Sequence, residues 1–450
     1  MKRYFYILLF GLLFTALDAQ QAITPSTALD AYLNNGDNTW AWEVQNCYPV
    51  GKTQAYSLLL VSQKWHGILW KHELIVFVPE EIASDGSLLV ITGSSLKDNS
   101  PKLSKPDDEA LQAMAVMAEK NRAIVCMAKQ IPNQPLFGDL VEDALISYTL
   151  NEFRKDGDYS WPLLFPMVKS AVKAMDAVQE FSKEKAKVDI RRFVVTGMSK
   201  RGWTTWLTGA SQDPRVAAIA PMVIDMLNMP VTLEYQKELY GGVYSDEIQD
   251  YVKLEIPQAV SSEFGKSVVQ MIDPYSYREK LPLPKLLFMG TNDPYWTLDA
   301  VKHYICDIPG QNYLCYVPNV EHGLGDKKQA FSALNAFFGL TLENKPYPAC
   351  DWTLTTKKGS ATLQVRTSAD RLIRAALWTA ESPSRDFRAS KWNGKDVVLK
   401  NKSLVTVTLK YPKKNFSAFY VELVYKDAKG DEFSVTTRPY VADSRQVFEK

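Results

Sequence analysis

Histidine is scarce in this chain, with only four in 450 residues. No CxxC pair occurs among its five cysteines, so the usual zinc and dithiol redox signatures are missing. His66, His72 and Glu73 cluster on predicted strands with no third ligand at useful spacing. The reading is therefore one with no metal and no cofactor. Charge of one sign is also lacking, because the formal net charge is +1. That balance removes the electrostatic reason to expect nucleic acid or an anionic membrane as partner. Internal repeats and low-complexity tracts are absent. Beyond the first twenty residues no run is long and apolar enough to span a bilayer.

What is present begins with an export pattern. Lys2 and Arg3 precede an apolar stretch at residues 4–17, and cleavage after Ala19 leaves Gln20 as the mature start. The expectation is a protein soluble in the periplasm or outside the cell, with residues 1–19 as signal peptide. Such a compartment permits disulfides, but five cysteines leave at least one unpaired within the chain. Buried thiols acting as small apolar residues are the favoured reading.

From residue 55 a rhythm sets in. AYSLLLVSQKW (55–65) and HELIVFVP (72–79) read as neighbouring strands. SLLVITG (87–93), AIVCMA (123–128), FVVTG (193–197), VAAIAPMVI (216–224), LLFMG (286–290) and YLCYV (313–317) are short apolar runs of the kind buried on both faces. Helical spacing fills residues 106–120, 140–153, 167–181, 204–210, 298–305 and 327–338. Strand and helix in turn predict an α/β domain over 20–345, a mostly parallel sheet covered on both faces. Residues 27–48 show no clear periodicity. At 226–284 the rhythm breaks into short helical pieces, an insertion read as a cap over the sheet edge, with a packing excursion as the alternative. After the linker NKPYPAC (344–350), short alternating runs separated by turn signals predict a C-terminal β-sandwich over 350–450.

The chemistry concentrates at FVVTGMSKRGWTTW, residues 193–206. A buried strand runs into Gly197-Met198-Ser199 and a helix follows at once. This is the layout of a nucleophile elbow, which thrusts a serine hydroxyl above the sheet. Arg201 stands where the usual final glycine would, and Gly202 comes one place later. The alternative is a serine that merely caps the helix. A serine nucleophile needs a base, and the α/β-hydrolase order is serine, acid, histidine. His303 falls inside a predicted helix. His322 follows a strand in the turn-rich PNVEHGLG, so it is the expected base. Asp293, in GTNDPYW after the strand at 286–290, is the expected acid, and Asp225 at the end of the preceding strand is its competitor. The backbone amides of Lys200 and of Ser94 or Ser95 are the expected oxyanion donors. Arg201 either binds an anionic substrate group or pairs with a buried carboxylate such as Asp225. Trp203, Tyr295 and Trp296 are candidates to wall the pocket, although Trp203 could equally be core.

Several stretches together resemble the PhoPQ-activated pathogenicity-related protein family. They include TALDAYL (27–33), LWKHELIVFVPE (69–80), EDALISYTL (142–150), FPMVKSAVKAMDAVQEF (165–181), VTGMSKRGWTTWLT (195–208), VIDMLNM (223–229) and GTNDPYW (290–296). The resemblance implies an α/β-hydrolase core, secretion and a Ser199–Asp293–His322 site. It supplies no substrate. Relatives tend to carry a Gly-rich turn after the third strand, where this chain has GSSLKDN (93–99). The expected function is a secreted serine hydrolase, first an esterase on a carbohydrate or small-molecule ester. A serine peptidase and a non-catalytic binding or signalling protein on the same fold are the alternatives.

Overall fold

The computed structural model describes residues 22–449, and the export signal read at 1–19 lies outside the described residues. The chain opens with α1 (Ala28–Leu33), β1 (Ala41–Val50), β2 (Thr53–Trp65), β3 (Ile68–Val78) and β4 (Gly86–Ile91). A two-residue hairpin, β5 (Leu96–Lys97) with β6 (Ser100–Pro101), leads to α2 (Glu109–Asn121) and β7 (Ile124–Ala128). Then come α3 (Glu142–Asp156), α4 (Leu164–Phe181), β8 (Arg192–Met198), α5 (Lys200–Ala210) and β9 (Val216–Met222). The insertion carries α6 (Met229–Leu239), α7 (Gln249–Val252) and α8 (Glu263–Ile272). It is followed by β10 (Lys285–Gly290), β11 (Asn312–Val317) and α9 (Lys328–Leu342).

Strands run in the order β1-β2-β3-β7-β4-β8-β9-β10-β11. From β7 to β11 the neighbours are parallel, while β1, β2, β3 and β7 pair antiparallel at one side. Side chains alternate between two cores. Leu88, Val194 and Ala218 enter the layer containing α2 and α9. Leu89, Val195 and Ile219 enter the layer containing α4 and α5. Burial on both faces is why these strands read as continuous apolar runs.

β1 is the strand that residues 27–48 concealed. It pairs only with β2, and its side chains are mostly exposed, so it needs no apolar alternation. The helix expected at 298–305 is instead two 3-10 turns, Ala300–His303 and Ile305–Asp307. Asp299 and its neighbours there are fixed by side-chain bonds to Tyr235 and Lys302 rather than by a regular α-ladder.

Past the linker the chain forms β12 (Cys350–Lys357), β13 (Ser360–Thr367), β14 (Leu372–Ser382), β15 (Asn393–Asp396) and β16 (Leu404–Lys410). The last strands are β17 (Phe416–Lys426), β18 (Glu432–Thr436) and β19 (Tyr440–Ala442). β12, β13 and β16 make one layer of a sandwich. The other layer, β18-β17-β14-β15, joins the main sheet where Leu314 of β11 faces Thr436 of β18. Leu363, Val365 and Val405 of the small layer share a core with Leu423 and Tyr425. Sequence reading separates this region at the linker, whereas the structure fuses it to the α/β part through one sheet. All five cysteines are free thiols; Cys126, Cys315 and Cys350 are buried, while Cys47 and Cys306 are exposed. No described helix is long and apolar enough to cross a membrane.

Candidate active site

The elbow is built by β8 and α5. Ser199 joins them with φ +56° and ψ −124°, a conformation that a non-glycine residue adopts only under constraint. The constraint is visible. The Ser199 amide donates to the Met222 carbonyl at 2.9 Å, and its own carbonyl accepts from the Trp203 amide at 2.9 Å. A Cβ at Gly197 would lie 2.7 Å from the Arg201 carbonyl, and one at Gly202 would lie 2.6 Å from the Met222 carbonyl. Gly202 therefore supplies the close helix-to-strand approach at the displaced glycine position. Position 201 is left free to carry a side chain.

Three residues distant in sequence meet above this turn. His322, in the turn after β11, has Nε2 2.8 Å from Ser199 Oγ. Its Nδ1 lies 2.8 Å from Asp293 Oδ2. The carboxylate only accepts, so Nδ1–H donates to it and Nε2 accepts from the serine hydroxyl. The second oxygen of Asp293 accepts the Tyr295 amide at 2.9 Å, which closes the turn after β10. Tyr295 stacks on the imidazole at 4.1 Å between centroids, so the ring is held by both a hydrogen bond and a face. Asp293 is buried, and the imidazole keeps partial access to solvent.

Asp225 does not join this relay. It is buried, accepts from Tyr304 Oη at 2.6 Å, and its carboxyl is pushed up to about 8, chiefly by burial and further by the charges of Asp293 and Asp299. Of the other histidines, His303 lies edge-on to Tyr235 and His66 stacks on Trp161. His72 is buried between Ser62 and the Lys129 carbonyl, and burial lowers it to about 4. Among the described residues no three His, Cys, Asp or Glu side chains are grouped to hold a metal.

For Arg201 the pairing alternative holds, with Glu142 rather than Asp225 as the carboxylate. The side chain is not left open for a substrate anion. Its guanidinium makes two 2.6 Å bonds to Glu142, and Nε donates to the Ile131 carbonyl at 2.5 Å. Lys200 reaches Asp143 at 2.8 Å. Two cations at the positive end of α5 thus face two carboxylates in the first turn of α3, where negative charge is favoured. Burial opposes ionisation of Glu142, yet the Arg201 bonds and charge prevail and lower its carboxyl to about 2. Glu142 and Asp143 are the functional neighbours that sequence reasoning missed. The signal was the ED pair that opens EDALISYTL.

Two spaces open onto Ser199. One is a small cavity under the insertion, bordered by Trp203, Tyr295 and Trp296 as expected. Trp203 is also core, with its indole N–H on the Ile272 carbonyl at 2.5 Å. The other is a wide groove between β4, α2 and the start of α9, bordered by Gly93 and Ser199. The Lys200 amide lies at the first turn of α5, where no intrahelical acceptor exists. Ser94 is half-buried and Ser95 exposed in the loop leaving β4, and neither borders the cavity or the groove. The Arg201 guanidinium covers Gly93, where a Cβ would lie 2.3 Å from it.

A mostly parallel sheet with this strand order, a serine at a strained strand-to-helix turn after β8, an acid after β10 and a histidine after β11 define an α/β-hydrolase fold. Within that class, residues 29–388 match the model of the PhoPQ-activated pathogenicity-related protein family, and the chain belongs to it. The chain is similar to autocrine proliferation repressor protein A of Dictyostelium discoideum, at 29% identity over 453 residues covering 93% of this chain and 90% of that protein. Among solved structures it is similar to acetyl xylan esterase 1 of a Thermoanaerobacterium species (15% identity, TM-score 0.47, covering 68% of this chain and 92% of that one). It is also similar to the acylaminoacyl peptidase of Pyrococcus horikoshii (14% identity, TM-score 0.42, covering 68% of this chain and 51% of that one).

Proposed function

We propose that the protein is an exported serine esterase that works through an acyl-enzyme on Ser199. The observation that carries this reading is the unbroken pair of 2.8 Å contacts linking Ser199, His322 and Asp293. His322 takes the hydroxyl proton as Ser199 Oγ attacks the ester carbonyl. Charge on the tetrahedral oxygen meets the Lys200 amide. Collapse breaks the ester C–O bond, and the histidine passes its proton to the leaving alcohol. Water, deprotonated by the same imidazole, then releases the acid and restores the serine. Asp293 keeps the imidazole in the correct tautomer throughout.

Ester is favoured over peptide by the state of the nearby carboxylates. A peptidase that reads a free amino terminus needs an available acid near the nucleophile. Glu142 is engaged by Arg201, and Asp143 by Lys200 and by the Tyr251 hydroxyl at 2.9 Å. The substrate on this reading is a carbohydrate or small-molecule ester. Export rests on the N-terminal pattern at residues 1–19. Sequencing the mature N-terminus is expected to find Gln20.

A fluorophosphonate probe tests the mechanism. Wild type is expected to be labelled stoichiometrically and Ser199→Ala not at all. An unlabelled wild type defeats the proposal and leaves a binding protein on a hydrolase scaffold.

A further inference from the structure

The small cavity at Ser199 is apolar almost throughout. Its far wall is made by the insertion, with Met226, Leu233, Ile248, Val268 and Ile272 facing Trp203. Polar groups cluster at the serine itself, where Lys200, Asp143 and Tyr251 bond to one another. Its free volume is about 50 Å³. One water needs roughly 10–15 Å³ of such space, so the cavity takes roughly three to five carbon-sized groups. The groove on the other side of Ser199 is broad, open and lined by both charged and apolar residues.

The two spaces differ in size and polarity. An alcohol released in acylation must depart while the acyl group stays bonded to Ser199 Oγ. A small apolar cavity suits the part that stays, and a broad groove of mixed polarity suits the part that goes. We infer that the cavity under the insertion is an acyl pocket that selects esters of short aliphatic acids, about four to six carbons long, leaving the alcohol moiety to the groove. This inference rests on the acyl-enzyme reading. In the first step the bond from Ser199 Oγ to the acyl carbon forms as the bond to the alcohol oxygen breaks, and the serine proton leaves with the alcohol. In the second, water supplies the hydroxyl of a short free acid and returns a proton to the serine.

Each buried methylene strengthens transfer from water to an apolar site by about fourfold. From acetate to butyrate, kcat/KM should therefore rise roughly fifteenfold. Chains longer than the cavity should lose about tenfold by laurate, because a packed wall resists overfilling. The experiment is a series of p-nitrophenyl esters from acetate to laurate on the full mature protein, run beside fluorophosphonate labelling. Wild type is expected to peak at butyrate to hexanoate. Val268→Phe fills the pocket and should bring the butyrate-to-acetate ratio close to one. Leu233→Ala enlarges it and should move the optimum to octanoate, which gives a second readout should the first variant fail to fold. Labelled protein with a flat profile, or an optimum at acetate, overturns the acyl pocket and leaves the hydrolase reading standing. Unlabelled wild type that turns over none of the esters overturns both.

Discussion

Asp225 and Asp293 follow adjacent parallel strands, β9 and β10, yet their surroundings give them opposite duties. Asp293 spends its oxygens on an imidazole N–H and a backbone N–H. Asp225 has no cation against it, and burial followed by the charges of Asp293 and Asp299 raises it to about 8, so it stays protonated at neutral pH. A neutral carboxyl cannot stabilise an imidazolium. Asp293→Asn is expected to lower kcat by roughly 10³–10⁴, as loss of the orienting acid does in other triads. Asp225→Asn should leave kcat within about threefold, since an amide oxygen can still accept from Tyr304. The raised pKa also fixes a sign. The folded state holds that proton more tightly than the unfolded chain, so the contribution is complete below about 3.8 and is lost as pH rises through about 8. Urea unfolding over that window should show wild type losing stability that Asp225→Asn retains. Equal slopes for the two proteins would contradict a protonated Asp225.

At the scale of elements, the elbow helix is held from outside. α5 begins with Lys200 and Arg201, which its own dipole disfavours, and α3 begins with Glu142 and Asp143, which its dipole favours. The two N-termini face each other across these four charges. Arg201 is buried and bonded on both forks, so removing one partner leaves a buried cation half satisfied. Glu142→Gln is expected to destabilise the fold by about 1–2 kcal/mol, less than for a fully buried pair because the Glu142 side chain is partly exposed and screened by solvent. In wild type the lowered Glu142 carboxyl contributes stability above about 4.5, lost as pH falls through about 2. Acid denaturation of Glu142→Gln should lack that component. The same scale shows what the sequence could carry. The buried strands β4, β7, β8 and β10 were legible because burial on both faces demands unbroken apolar runs. β1 was not, because an exposed edge strand is held by backbone bonds to β2 and its side chains need no pattern. The partners of Lys200 and Arg201 were hidden too, since a pairing across nearly sixty residues leaves no local trace.

Across the whole molecule, the convergence of Ser199, Asp293 and His322 was legible because strand ends in a parallel sheet meet on one edge; chain order narrowed the candidates, and the turn settings of Asp293 and His322 set them apart from Asp225 and His303. What keeps those loops in register was not legible. The loop between β14 and β15 reaches back over the α/β part. Asn292, beside the acid, donates to the Arg388 and Ser390 carbonyls at 3.0 and 2.7 Å. Asn319, three residues before the base, exchanges bonds of 3.0 and 2.7 Å with Trp392. The two loops also bond to each other, through the Asn319 amide on Thr291 Oγ1 at 2.9 Å and the Asn292 amide on the Val320 carbonyl at 3.0 Å. The C-terminal sandwich thus grips the acid and the base at once. The family match runs past the linker to residue 388, inside this gripping loop. Asn319→Ala removes both bonds to Trp392 without touching Ser199, His322 or Asp293. Since misplacement by about 1 Å can cost a hundredfold in rate, kcat should fall between about tenfold and a hundredfold while KM moves by less than about threefold. Fluorophosphonate labelling should slow in the same proportion and still reach one label per chain, because every molecule keeps its nucleophile. Partial labelling at the wild-type rate would mean that Asn319 merely helps the chain fold, and the sandwich would then have no part in setting the geometry of the relay.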